Sequence, residues 1–334
     1  MTNGFVDGRS DSLGNDDLFT RTPIAYCSQL GHTQFQVNDL TNCICETSKY
    51  AVACGGFSDL YAGVLIQSPT NEADSCDPNA KPRRKVALKV LRAITNGQID
   101  ILRAKKRLNR EVGVLQRLNH PNVTRFLGVS FHLGGRPSIV MEWYDRGDAS
   151  TYLKCRPIED RMSLIPGIIK GLRYLHTQSP AIVHGDLKGS NVLVNSQNQA
   201  VLADFGISKV LEELSGPTGN TTVGSEAGSF RWLAPERLDT RLTTDKDPTP
   251  ASDIWAFGCT IYEILTGRIP YQSEIHIWPI MTQILTGVHP FSERDTDDQR
   301  LERIYTALEP CWAFRAECRP SIIQLERSLT FCFQ

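Results

Sequence analysis

The sequence predicts an α+β fold of two unequal lobes, a small strand-rich one followed by a larger helical one. Two patterns carry that prediction. In the first half, apolar residues keep a period of two, as in residues 85–91 (KVALKVL), the mark of strands. In the second half they recur at spacings of three and four, as in Leu164, Ile165, Ile168, Ile169, Leu172 and Leu175, the mark of a helix with one apolar face. A chain of 334 residues, 40% hydrophobic and 22% charged, can bury one large core or two smaller ones. It is too apolar for a disordered chain and too charged for a membrane bundle.

The elements follow in order. Residues 1 to about 45 are polar, with Asp7, Asp11, Asp16 and Asp17, and read as a loosely ordered tail. Residues 49–65 read as a strand, a glycine turn and a second strand. Residues 67–82 hold turn formers without an apolar pattern and read as an exposed insertion. A strand is predicted over 85–91, a helix over 100–118 and two strands over 123–143. Ser252 is placed to cap the helix that begins DIWAFG. Polar loops are predicted over 212–229 and 239–251.

Targeting and redox signals are thin. The start has no basic stretch followed by an apolar one, so no signal peptide is read there. No apolar run nears the roughly 20 residues of a membrane helix. Ten cysteines are scattered without metal spacing, which points to a reducing, intracellular and cytoplasmic setting with most of them buried as small hydrophobes. With 36 Lys+Arg against 37 Asp+Glu the net charge is −1, so no nucleic-acid partner is expected.

Three local patterns carry chemistry. Lys89 is a cation in an otherwise apolar strand, on one face with Ala87 and Leu91. Glu111 shares a helical stripe with Leu108, Leu115 and Leu118. A carboxylate buried there requires a cation, and Lys89 is the candidate. The segment His184-Gly-Asp-Leu-Lys-Gly-Ser-Asn191, followed by Asp204-Phe-Gly206, offers two acids, an amide and a lysine around short strands. Such a set suits phosphoryl transfer, which asks mainly for positioning and charge neutralisation.

Taken together, the turn at Gly55-Gly56, VALK (86–89), Glu111, the His184–Asn191 segment, DFG (204–206) and Ala234-Pro-Glu236 resemble the eukaryotic protein kinase domain, over roughly 46–332. The resemblance implies the bilobal protein kinase-like fold, with a first lobe over about 46–141, a hinge over 142–146 and a second lobe over 147–332. ATP and Mg²⁺ are the implied cofactors and protein chains the implied partners. Asp186 is the implied catalytic base, Lys188 neutralises the transferred phosphate, and Asn191 and Asp204 hold the metal. Lys89 binds phosphate and pairs with Glu111. Val52, Ala53, Gly55, Gly56 and Ser58 form the phosphate loop. Leu60, Ala87 and Leu193 enclose adenine, Met141 is the gatekeeper, Glu142 to Tyr144 the hinge, and Asp148 meets the ribose. Leu115, Phe126, His184 and Phe205 are implied to stack in an internal column. Asp253 is the implied structural aspartate, and Arg319 pairs with Glu236.

Lys188 and the stretch Gly228–Glu236 resemble serine/threonine enzymes of the tyrosine-kinase-like branch. Phosphorylation of the enzyme's own 207–233 loop, rich in Ser and Thr, is implied as well. The chain departs from the family pattern at three positions. Ala53 and Ser58 replace loop glycines, and Gly185 stands where an arginine ordinarily receives a loop phosphate, so activity without strict need for loop phosphorylation is expected. The alternative is a pseudokinase or scaffold that binds nucleotide without efficient transfer; Ala234-Pro-Glu236 and the long loop disfavour a small-molecule kinase, and Lys188 disfavours a tyrosine-specific enzyme.

Overall fold

The computed structural model describes residues 37–54, 58–66, 82–92, 94–95, 98–99, 108–109, 111–205, 229–239, 247–291 and 298–332. The strands are β1 (Ile44–Thr47), β2 (Ala53–Cys54), β3 (Ser58–Ile66), β4 (Arg83–Leu91), β5 (Ile94–Thr95), β6 (Gln98–Ile99), β7 (Phe126–Ser130), β8 (Ser138–Glu142), β9 (Val192–Val194) and β10 (Ala200–Leu202). Residues 108, 109 and 111–115 are helical (α1). The further helices are α2 (Ala149–Tyr152), α3 (Ile158–His176), α4 (Pro235–Leu238), α5 (Pro250–Thr266), α6 (Ile277–Leu285), α7 (Gln299–Leu308) and α8 (Ile322–Thr330).

One antiparallel sheet runs β1-β3-β4-β8-β7, with β2 also paired to β3. Directly opposed residues share a face. Leu60 opposes Lys89, which opposes Ile139, and Ala62 opposes Ala87, which opposes Met141. Leu60, Ala87, Lys89 and Met141 therefore lie on one side of the sheet. The alternation read in residues 85–91 separates two cores. Ala87, Leu91, Ile139 and Met141 join the large cluster that includes Leu164, Ile168 and Leu172 of α3. Val86, Leu88 and Val140 pack on the opposite face with Ile44 and Leu65. The strand-rich part thus meets the helical part through the face that carries Lys89.

Several expectations shift. The polar tail ends earlier than residue 45, because Val129 N–H donates to the Asn38 carbonyl at 2.9 Å and Leu40 N–H donates to the Val129 carbonyl at 2.8 Å. The strand predicted from 49 is interrupted. Ser48 N–H bonds Ala62 and Val52 N–H bonds Leu60, so residues 49–51 bulge opposite Tyr61 alone. Helix α5 starts two residues before Ser252. Thr249 is its N-cap, and Ser252 completes a reciprocal capping box, with Ser252 N–H donating to Thr249 Oγ1 at 3.1 Å and Thr249 N–H to Ser252 Oγ at 2.9 Å. Gly267, at φ 72°, ends that helix in the left-handed conformation that favours glycine.

The cysteines also depart from expectation. Among the described residues only Cys259 and Cys311 are buried, whereas Cys45 and Cys54 on edge strands, Cys155 in a turn and Cys318 in a short 3₁₀ helix are exposed. Residues 67–81 of the insertion predicted over 67–82, residues 100–107 of the predicted helix and residues 207–228 of the 207–233 loop lie outside the described residues.

Candidate functional site

Lys89 reaches the site because β4 is central in the sheet and its alternation turns residue 89 toward the helical part. Its ammonium lies 2.9 Å from Asp204 Oδ1 and 3.8 Å from Glu111 Oε2. The side chains of Lys89 and Glu111 are 7% and 3% exposed. That low exposure is tolerable because opposite charges meet. Leu108, Leu115 and Leu118 on the same stripe as Glu111 are buried as predicted. Asp204 takes a φ of 57° just after β10, which aims its carboxylate at Lys89. The Lys89 ammonium holds the Asp204 carboxyl below the usual carboxylate range, so it stays ionised at neutral pH.

The segment 184–191 forms a second charged cluster. Asp186 Oδ2 accepts from Lys188 Nζ at 2.7 Å and from Asn191 Nδ2 at 2.9 Å. Asn191 Nδ2 also donates to the Asp186 carbonyl at 2.7 Å. With its amide nitrogen committed, the amide oxygen of Asn191 is the atom left for another ligand. Lys188 Nζ also donates to Ser229 Oγ at 2.6 Å. The Asn191 carbonyl accepts from Ala203 N–H at 2.9 Å, which ties this cluster to Asp204.

Backbone anchors fix the loop. Asp253 in α5, 1% exposed, accepts from His184 N–H at 2.7 Å and from Gly185 N–H at 2.8 Å. His176 Nε2 lies 2.8 Å from the same carboxylate. Gly185 has φ 79°, a left-handed conformation open to glycine without strain. His184 is fully buried, and burial pushes its imidazole below the ordinary value. Its ring lies edge-on to Phe205 at 6.2 Å, and Phe205 shares its apolar cluster with Leu115 and Phe126.

The remaining predicted residues fall around the Lys89 face. Ala87, Met141 and Leu60 lie on it, and an isolated antiparallel bridge sets Leu193 beside Asp148. Asp148 also caps α2 by accepting from Thr151 N–H at 2.9 Å. The Glu142 side chain turns to Arg84, with Oε1 accepting at 2.6 Å. The Tyr144 phenol is pushed up to about 12, chiefly by burial and next by the Glu142 charge. Val52, Ala53 and Cys54 are exposed, and Ser58 is partly so. Gly55 and Gly56 lie outside the described residues, as does Gly206. The Cys54 thiol is raised, first by its hydrogen bond to Asp59, which disfavours the reactive thiolate.

Sequence reasoning missed Glu263. This buried acid of α5 accepts from Gly189 N–H at 2.9 Å, Ser150 Oγ at 2.8 Å and Trp232 Nε1 at 3.1 Å. A signal was present in residues 260–266 (TIYEILT), an acid inside an apolar helix, the same logic that exposed Glu111.

Comparison with known proteins agrees with this geometry. A family model described as protein tyrosine and serine/threonine kinase matches residues 47–329. The chain is 25% identical over 278 residues to serine/threonine-protein kinase STY17 of Arabidopsis thaliana, covering 82% of this chain and 42% of that protein. It is 34% identical over 194 residues to mitogen-activated protein kinase kinase kinase 5 of the same plant, covering 56% of this chain and 26% of that one. It is also 29% identical over 228 residues to serine/threonine/tyrosine-protein kinase HT1 from that plant, covering 66% and 50%. The chain therefore spans half or less of the length of these relatives. With the match across 47–329 and the charged clusters at Lys89 and Asp186 in place, the chain belongs to the protein tyrosine and serine/threonine kinase family.

Proposed function

We propose that the chain is a serine/threonine protein kinase that transfers the γ-phosphate of ATP to hydroxyls of protein substrates, with its own chain among them. The observation that carries this reading is Lys89 engaging Asp204 and Glu111 together, at 2.9 and 3.8 Å, while Asp186, Lys188 and Asn191 stand assembled beside them. A protein that only binds nucleotide has no need of the second cluster. Lys188 further supports hydroxyl substrates of the serine/threonine kind, and its contact with Ser229 supports docking of a peptide along that segment.

In this reading Leu60, Ala87, Met141 and Leu193 enclose the adenine, and the backbone of Glu142 to Tyr144 hydrogen-bonds it. Asp148 faces the ribose with the acceptor capacity left after its capping bond. Val52, Ala53, Gly55, Gly56 and Ser58 follow the phosphates, and Lys89 neutralises them. Asp186 orients the substrate hydroxyl and accepts its proton as the oxygen attacks phosphorus. Lys188 offsets charge on the phosphoryl group in flight. The donor set fits Mg²⁺: an ionised carboxylate on Asp204 and the amide oxygen of Asn191 are hard oxygen ligands. Bound there, the ion supplies neutralisation of phosphate charge.

We also assign a catalytic domain of about 46–332, divided at 142–146. The cysteines described are free thiols, which supports a reducing compartment. No helix among the described residues is long and apolar enough to cross a membrane.

The test is transfer itself. The chain is incubated with γ-labelled Mg-ATP and a mixed protein substrate, and the labelled amino acids are identified after hydrolysis. Phosphoserine and phosphothreonine are expected. Absence of label would favour the pseudokinase alternative, and phosphotyrosine alone would overturn the assignment made from Lys188.

A further inference from the structure

We propose that Arg92 and Asp59 are positioning residues for the nucleotide phosphates, fastening the base of the phosphate loop to the strand that carries Lys89. The inference rests on the phosphotransfer reading and deepens it on the nucleotide side.

The loop hangs between two strand ends. β2 stops at Cys54 and β3 starts at Ser58. Cys54 opposes Asp59 across β2 and β3, and Ser58 opposes Leu91 across β3 and β4. Ser58 and Leu91 are the last pair of that second ladder. The ladder ends there, and Arg92 extends the attachment by one residue. Its Nη2 donates to the Ser58 carbonyl at 3.3 Å, and its Nε lies 3.5 Å from Asp59 Oδ2. One guanidinium therefore holds the backbone of the first residue of β3 and the side chain of the second. The Asp59 carboxylate also accepts from the Cys54 thiol. The end of β4, the start of β3 and the end of β2 are linked in a row by three side chains.

Strand alternation puts this row behind the site. Leu60 and Lys89 are directly opposed on the nucleotide side. Asp59, Cys54 and Val90 then point to the other face, and Arg92, two residues past Val90, joins them. In the proposed site none of these side chains touches ATP. They act through the backbone that leads into the loop. The phosphates lie between that backbone and the Lys89 ammonium, so the spacing between β3 and the end of β4 sets how well both reach them at once. The side chains of Arg92 and Asp59 are 35% and 17% exposed. An ion pair that open adds little to global stability, so its loss is read in nucleotide binding rather than in unfolding.

The test uses the full chain, with equilibrium titration of Mg-ATP and steady-state kinetics on a serine-containing protein substrate. Arg92→Met keeps the apolar stem and removes every donor. Asp59→Asn keeps the shape and removes the charge. Each is expected to raise Kd and KM for ATP about fivefold, with KM for the protein substrate within about twofold of the parent. The double variant is expected to fall well short of the about twenty-five-fold product of independent sites, because both changes break one linked group. If Arg92→Met folds poorly, Asp59→Asn carries the test alone. An unchanged Kd for ATP in the single variants, an equal rise in the protein KM, or the full product in the double variant would overturn the proposal. A parent chain that binds Mg-ATP without transfer would instead overturn the phosphotransfer reading, and the Kd values would still decide the roles of Arg92 and Asp59.

Discussion

Buried charges are the residues whose chemistry is easiest to read. Lys89 and Glu111 are both charged groups on apolar faces, and the cost of burying either alone made their pairing predictable before any geometry was known. Glu263 obeys the same logic, yet its partners stay hidden in a sequence. They lie 31, 74 and 113 residues away, at distances along the chain that no periodicity links. Asp253 is similar: its grip on His184 and Gly185 spans 69 and 68 residues. Local burial cost announces that a partner exists, and only the fold says which. The Lys89 pairing yields a direct prediction. Lys89→Met removes the cation shared by Glu111 and Asp204. Turnover should fall by at least about a hundredfold in a steady-state assay. The fold should lose about 3 kcal/mol in urea unfolding. Full turnover in that variant would remove Lys89 from the site.

The same contrast between local and distant information appears among the elements. Strands β4, β7 and β8 and the apolar face of α3 are legible because period two and spacing three-four are local properties. The bulge at 49–51 was not legible, since it depends on which residues of β3 each partner meets. The start of α5 was misplaced because Thr249 and Ser252 are both good caps, and the reciprocal bond selects the earlier one. The short helix α4 has four residues, too few to be stable alone. Its stability comes from Arg319, whose fully buried guanidinium forks onto Glu236 at 2.6 and 2.8 Å and also reaches the Ala251 carbonyl at 3.0 Å. Arg319→Leu leaves that carboxylate without its guanidinium partner. It should cost about 3–5 kcal/mol in urea unfolding. A loss below about 1 kcal/mol would mean that α4 is held by other contacts.

Across the whole molecule, the site lies where the Lys89 face of the sheet meets the helical part. The large apolar cluster continues from Ala87 and Met141 to Leu164 and Ile168, so the surfaces carrying Lys89 and Asp186 are joined by packing as well as by ion pairs. A net charge of −1 conceals this arrangement, because Lys89, Lys188, Glu111, Asp186 and Asp204 nearly cancel while each acts locally. We propose that Asp186 takes the proton of a protein hydroxyl during phosphoryl transfer. The most direct test is turnover of Asp186→Asn beside the parent chain with Mg-ATP and a protein substrate, with ATP affinity measured on both. Asparagine keeps the size and most contacts but cannot accept the proton. ATP affinity is predicted to hold while kcat falls by about a hundredfold or more. Equal kcat in the two proteins would mean that Asp186 takes no proton in the reaction.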